Sequence, residues 1–202
     1  MDLADTTVAI VAANEFEDIE LEYPLLQLSH WGADVELVPV PAGHHPRPAL
    51  ERTESKPVTG RYGTPLPPEV MAEGNRYTVT PFAELSLDDI DCLLFPGGFS
   101  PDHLRVLDDV VSTIREADDR GLLLAAICHG PWMFVEADIL EGRDVCGYRA
   151  IHTDMENAGA IVRDVPAIRD GHVVTGRVPD DLPEFTETVA EALVEAETPT
   201  TS

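Results

Sequence analysis

Three observations predict an α/β fold: one domain built on a doubly wound, mostly parallel sheet with helices on both faces. Short apolar runs rich in β-branched residues alternate with longer amphipathic stretches along the chain. The runs carry almost no internal charge, as strands buried on both faces do. No repeat and no composition break divides the 202 residues, a length usual for one domain.

Thr7–Ala13 reads as the first buried strand. A helix follows over Asp18–Trp31, with Leu21, Leu25 and Leu28 at helical spacing and Gly32 as its stop. Pro24 falls early enough in it to be tolerated. Asp34–Pro39 is a second strand. Between Pro39 and Pro68 lie 8 of the 17 prolines, which excludes a regular helix or central strand there. This stretch is predicted as a long surface loop with a short hairpin around Gly60–Gly63. Arg76–Thr80 and Asp91–Pro96 read as strands, and Val110–Arg120 as an amphipathic helix preceded by Asp108 and Asp109. Leu122–Ile127 is the most apolar run and is assigned to the sheet centre. A helix over Gly130–Ala137, a short helix over Asp154–Ala158, a strand over His172–Thr175 and a helix over Leu182–Glu195 complete the domain. Ala196–Ser202 is expected to fray.

Charge narrows the function. There are 38 acidic residues against 13 basic ones, for a net charge of −25. Nucleic acid and anionic membranes are poor partners for such a surface, because both need clustered Lys and Arg. Lys56 is the single lysine against 12 arginines. Abundant acid with scarce lysine suits a halophilic protein, whose self-repulsion is screened within ~3 Å in molar salt. Three cysteines, Cys92, Cys128 and Cys146, make neither a disulfide framework nor a CxxC metal pair. Met1–Thr7 lacks the cationic start of a signal peptide, and the longest stretch free of charged side chains, Gly121–Val135, is too short to span a bilayer. A soluble, cytoplasmic protein is expected.

In open α/β sheets, sites form beyond the carboxyl ends of the strands. Those ends carry Asn14-Glu15-Phe16-Glu17, Gly97-Gly98 and Cys128-His129-Gly130-Pro131. The last has the layout of a nucleophile elbow, a sharp strand-to-helix turn that lifts a side chain over the sheet edge. Gly130 allows close approach, and Pro131 suits a first helical turn. A thiol there faces the positive end of a helix, which favours the nucleophilic thiolate. Cys92 reads as a small core residue. His44-His45 could contribute to a metal pair only weakly, since adjacent residues do not share a helical face. His103 and His152 are candidates for the pocket rim, and His30 and His172 for structural roles. No cofactor motif occurs among the phosphate loops and zinc-helix patterns.

The segments ANEFEDIELEYP (Ala13–Pro24), FPGG (Phe95–Gly98), AICHGP (Ala126–Pro131), TDMENAGA (Thr153–Ala160) and GRVPDDLPEF (Gly176–Phe185) resemble the PfpI family of the ThiJ/PfpI, class I glutamine amidotransferase-like superfamily. The resemblance runs from about Thr7 to Leu193, and the Pro39–Pro68 loop is longer than the family's usual connection. It implies a flavodoxin-like sandwich and a nucleophilic Cys128 whose thiol is reached by Glu17. It implies oxyanion donors at the Gly98 and His129 amides, worth roughly 3–4 kcal/mol each, with Gly97 beside them in the oxyanion and substrate-binding region; read alone, Gly97-Gly98 is a tight turn. It also implies an acid that orients His129 across a subunit interface, at the position of Asp102. Apart from the resemblance, Glu17 reads as a helix N-terminal acid and Asp102 as a helix cap.

Two kinds of function fit. One is a cysteine-dependent hydrolase or lyase. For its substrates the resemblance implies reactive aldehydes such as methylglyoxal and its protein adducts, in a glyoxalase or deglycase role, or alternatively peptide bonds in an intracellular protease. The other is a redox or stress sensor that uses the same thiol. The resemblance further implies a homo-oligomer.

Overall fold

The computed structural model describes residues 1–44, 46, 57–67 and 77–197. Its centre is a seven-stranded sheet. In chain order the strands and helices are β1 (Thr7–Ala12), α1 (Asp18–His30), β2 (Asp34–Pro39), β3 (Val58–Thr59), β4 (Pro65–Leu66), β5 (Tyr77–Val79), β6 (Cys92–Phe95), α2 (Ser100–Leu104) and α3 (Asp108–Asp119). There follow β7 (Leu123–Ile127), α4 (Trp132–Ala137), β8 (Asp144–Val145), α5 (His152–Asn157), β9 (Ile161–Val162), β10 (Ala167–Asp170), β11 (Val173–Gly176) and α6 (Leu182–Glu197). The sheet order is β10-β11-β7-β6-β1-β2-β5. Every pairing is parallel except β10 against β11.

Strand pleating divides the core between the two faces. Val8, Ile10 and Ala12 of β1 join one buried cluster, with Leu21, Leu25 and Leu28 of α1 and Phe185, Val189 and Leu193 of α6. Their neighbours Ala9 and Val11 turn to the other, with Val110, Ile114 and Ala117 of α3 and Met133 and Phe134 of α4. Side chains that alternate across a strand feed both layers at once. This is why the apolar runs are continuous rather than alternating.

Sequence and structure differ at identifiable places. The antiparallel edge strand β10 has no apolar run to announce it: its sequence is AIRD and every residue is at least partly exposed. Helix α2 has five residues with Pro101 among them, too short for a periodic signal. Asp108 and Asp109 form the first turn of α3 rather than preceding it. Ala196 and Glu197, expected in a frayed tail, belong to α6, which continues through Glu197. The hairpin expected around Gly60–Gly63 is present, with Val58 opposite Leu66. His45, residues 47–56 and 68–76, which include Arg76, and residues 198–202 lie outside the described residues. Among the described residues, no helix is long and apolar enough to cross a membrane.

Phe134 is fully buried and meets Phe95 edge to face, with ring centroids 6.2 Å apart. Phe134→Ala should lower unfolding free energy by about 3–5 kcal/mol, the cost of a buried aromatic lost with partial collapse of its site. Guanidinium denaturation of both proteins measures it, and a loss below about 1 kcal/mol would contradict this packing.

Candidate active site

The strand order reverses at β1, which has β2 on one side and β6 on the other. Crevices at such switch points open beyond the carboxyl ends of the strands. The segments after β1, β6 and β7 converge here. Phe16 pairs with Gly98 as an isolated bridge, and the Glu17 amide donates to the Gly97 carbonyl at 3.3 Å.

Cys128 sits at the bend after β7 with φ 62°, the left-handed region that a residue with a Cβ enters only at a cost. The turn is fixed on every side. The Cys128 amide donates to the Gly176 carbonyl at 3.0 Å, the Tyr148 amide donates to the Cys128 carbonyl at 2.8 Å, and the Gly130 amide donates to the Ile127 carbonyl at 2.7 Å. This is the strand-to-helix elbow expected from the sequence. The helix that follows, α4, has only six residues, shorter than predicted.

The carboxyl group that meets the thiol is Glu20, not Glu17. Glu17 lies just before α1, in an extended conformation at its N-terminal cap position, and its Oε2 accepts from Arg61 Nη1 at 2.8 Å. Glu20 lies in the first turn of α1 on its buried face, with Leu21 and Pro24. Its Oε2 accepts from the Gly97 amide at 2.7 Å. Its Oε1 is buried without a well-formed hydrogen bond, and the neighbour at hand is the Cys128 thiol. A sequence signal for Glu20 existed: an acid next to Leu21 and four residues before Pro24, among the apolar positions of α1.

Burial pushes the Glu20 carboxyl from its ordinary 4.5 up to about 8, against the pull of the Gly97 amide. A neutral carboxyl is the form that a dry site tolerates. Burial also pushes the Cys128 thiol up, and the negative charge of Glu20 adds to it; the His129 and Gly98 amides pull the other way. The thiol is therefore not acidic in this state, contrary to the expectation from a helix terminus alone. The two groups titrate as a pair.

His129 Nδ1 lies 3.4 Å from Cys128 Sγ. Its ring packs between Trp132 and Tyr148, with centroids at 5.3 and 4.8 Å. Burial holds the imidazole below its ordinary pKa, while the charge of Asp102 opposes this. Asp102 makes no hydrogen bond to His129 among the described residues. It is exposed on α2 and does not cap that helix. Gly98 and His129 do turn their amides toward the sulfur.

His103 Nε2 meets Glu15 Oε2 at 3.2 Å, and His152 Nε2 meets the Gly147 carbonyl at 3.1 Å. His172 pairs with Asp118 at 2.7 Å, far from the thiol in the fold, and His30 is exposed at the end of α1. Cys92 and Cys146 are fully buried. No cluster of three potential metal ligands occurs among the described residues. Arg61, which the sequence analysis passed over, reaches the site from the hairpin: its charge acts on both Glu20 and His129.

A carboxyl whose folded pKa exceeds its unfolded one takes up a proton on folding between the two values. Glu20 should therefore stabilise the fold relatively most below pH 4.5, with that advantage lost as pH rises through about 8. Against wild type, Glu20→Gln should flatten the pH dependence of stability over this window, measured by denaturation. It should also move alkylation of Cys128 by iodoacetamide to lower pH, because a negative neighbour is gone. An unchanged alkylation profile would mean that the two groups do not interact.

Comparison with known proteins agrees with this architecture. A family model described as the DJ-1/PfpI family matches residues 6–192. An uncharacterized protein of Archaeoglobus fulgidus is 34% identical over 178 residues, covering 88% of this chain and 92% of the relative. A Bacillus subtilis protein named "Putative cysteine protease YraA" is 33% identical over 178 residues, covering 88% of this chain and 92% of its own. Among solved structures, a two-domain protein of Anabaena variabilis with DJ-1/ThiJ/PfpI-like and ferritin-like domains superposes with a TM-score of 0.73 at 28% identity, over 94% of this chain and 48% of that one. Drosophila melanogaster DJ-1beta superposes with a TM-score of 0.73 at 20% identity, over 96% and 91% of the two chains. The fold, the length of the match and the relatives agree: this chain belongs to the DJ-1/PfpI family.

Proposed function

We propose that the chain is a cysteine-dependent enzyme acting on reactive carbonyl compounds, with Cys128 as nucleophile. The observation that carries this reading is the buried Glu20 carboxyl beside the thiol, with its raised pKa of about 8 and its unpartnered oxygen. In addition to an aldehyde, the S–H proton passes to His129 Nδ1 and from there resets Glu20 once that carboxyl has donated. The S–C bond forms, the C=O π pair moves to oxygen, and that oxygen must gain a proton. A protonated Glu20 is placed to supply one, and the Gly98 and His129 amides can hold the developing charge. For methylglyoxal the hemithioacetal would then pass a proton from C1 to C2 to give a thioester. Water would hydrolyse that thioester to lactate and return the thiol. His129, held neutral by burial, is the base within reach.

A peptidase is the competing reading. It draws on the 3.4 Å contact between Cys128 Sγ and His129 Nδ1, and on the name of the Bacillus subtilis relative. Peptide cleavage also needs an oriented acid for the amine leaving group. Asp102 makes no hydrogen bond to His129 within the described residues of one chain, so addition to an aldehyde is the better match. A homo-oligomer in which a neighbour approaches the exposed Asp102 would supply such orientation, and we infer one on that ground.

Cys128→Ser should reduce lactate formation from methylglyoxal by at least about 100-fold, as loss of a nucleophile does. Equal activity in the variant would remove the proposal. Casein cleavage by wild type but not by the variant, without lactate formation, would favour the peptidase. The net charge of −25 also supports a halophilic protein. Its thermal midpoint should rise between low and molar salt, and equal midpoints would refute that.

A further inference from the structure

Three exposed Phe or Tyr side chains occur among the described residues: Tyr62, Phe99 and Tyr148. Phe99 and Tyr148 border the thiol site, and Tyr62 stands on the hairpin beside it. Phe99 follows Gly98 directly, Tyr148 packs on His129, and Tyr62 is the neighbour of Arg61. Arg61 is the cation set into this rim. Its guanidinium lies 5.3 Å from the Phe99 ring centroid and 5.7 Å from that of Tyr62.

The position of Arg61 is built rather than incidental. Its backbone amide donates to the Phe16 carbonyl at 2.9 Å, and Phe16 is the residue bridged to Gly98. The Asp18 carboxylate accepts the amides of Tyr62 and Thr64 at 2.9 and 2.8 Å, which straps the hairpin turn to the start of α1. Gly60 has no room for a side chain, since a Cβ would stand 2.6 Å from that carboxylate. The side chain itself is tied by one bond only, Nη1 to Glu17 Oε2 at 2.8 Å. Nε and Nη2 have no partner among the described residues, and the side chain remains 39% exposed. Guanidinium recognises carboxylates through two parallel donors, so a singly paired, aromatic-stacked arginine retains capacity for an anion.

We propose that Arg61 is a specificity-determining residue that selects, for reaction at Cys128, electrophiles carrying a carboxylate next to the reactive carbon. The substrate class is then a 2-oxo acid such as a carboxylate-bearing aldehyde, in preference to a neutral dicarbonyl of the same size. This deepens the carbonyl reading given above and rests on it for the substrate, but not for the selection itself.

Two alkylating agents separate these points. Iodoacetate and iodoacetamide both form an S–C bond with the Cys128 thiolate and release iodide, and they differ in charge rather than shape. Their rate ratio at one pH cancels the thiolate fraction, so a shifted thiol pKa does not affect it. Arg61→Gln should lower the iodoacetate-to-iodoacetamide ratio about fivefold, the scale of a partly exposed charge contact. Arg61→Lys should recover part of it, and Glu17→Gln, which frees the guanidinium, should raise it. Glyoxylate should protect wild-type Cys128 from iodoacetamide at lower concentration than methylglyoxal, and that gap should close in Arg61→Gln. A ratio equal in wild type and Arg61→Gln, with both proteins folded by circular dichroism, would overturn the proposal. A shifted ratio in a protein that converts no carbonyl compound would instead refute the enzymatic reading and leave the anion selection standing.

Discussion

The site depends on an absence of side chains where three strand ends meet. A Cβ on Gly97 would lie 2.8 Å from Glu20 Oε2, 2.8 Å from the His129 amide nitrogen and 2.9 Å from Cys128 Cβ. A Cβ on Gly130 would lie 2.5 Å from the Phe95 carbonyl oxygen. Real Cβ atoms do not tolerate such distances, so the backbone after β6 can lie against the elbow after β7 only because both carry glycine. That contact brings the Glu20 carboxyl, anchored on the Gly97 amide, up to the sulfur. The left-handed turn at Cys128 costs about 1–2 kcal/mol, and surrounding hydrogen bonds hold it in place.

Burial then sets the chemistry. An acid and a thiol placed together in a dry site cannot both ionise cheaply, so they share charge as a unit. The raised pKa of Glu20 means that near neutral pH the proton stays mostly on the carboxyl. A proton held there is available to an oxygen that becomes basic during addition. An ionised carboxylate in the same place would only repel a thiolate. The cost of burying Glu20 and its capacity to donate have one physical origin.

How far this could be read from the sequence follows from the same physics. Continuous apolar strands, the Gly-Gly turn and the Cys-His-Gly-Pro elbow are local signals, and each stands where expected. The error at Glu17 came from treating proximity to the strand end as proximity to the thiol. Helical geometry decides otherwise: Glu17 is outside the first turn and turns to Arg61, whereas Glu20 lies on the face shared with Leu21, Pro24 and Leu28. Strand β10 and helix α2 escaped notice because partly exposed edges and five-residue turns leave no periodic pattern. Arg61 is distant from the motif residues in sequence, and only the fold brings it beside them.

The proline-rich stretch gains meaning from that placement. Its described hairpin is not a free loop. Asn14 donates to the Ala42 carbonyl and accepts from the Thr59 amide, and the Glu15 amide donates to the Thr59 carbonyl at 2.7 Å. Asp18 and Glu22 bind it from α1. Side chains of the first strand end and of the helix after it thus hold a segment remote in sequence over the crevice. Loops on a rigid scaffold are where selectivity can vary without disturbing the core. In this chain the proline-rich stretch is also the one that sets an arginine in the aromatic rim. The elbow would then fix the reaction, and the hairpin would fix which electrophiles reach it.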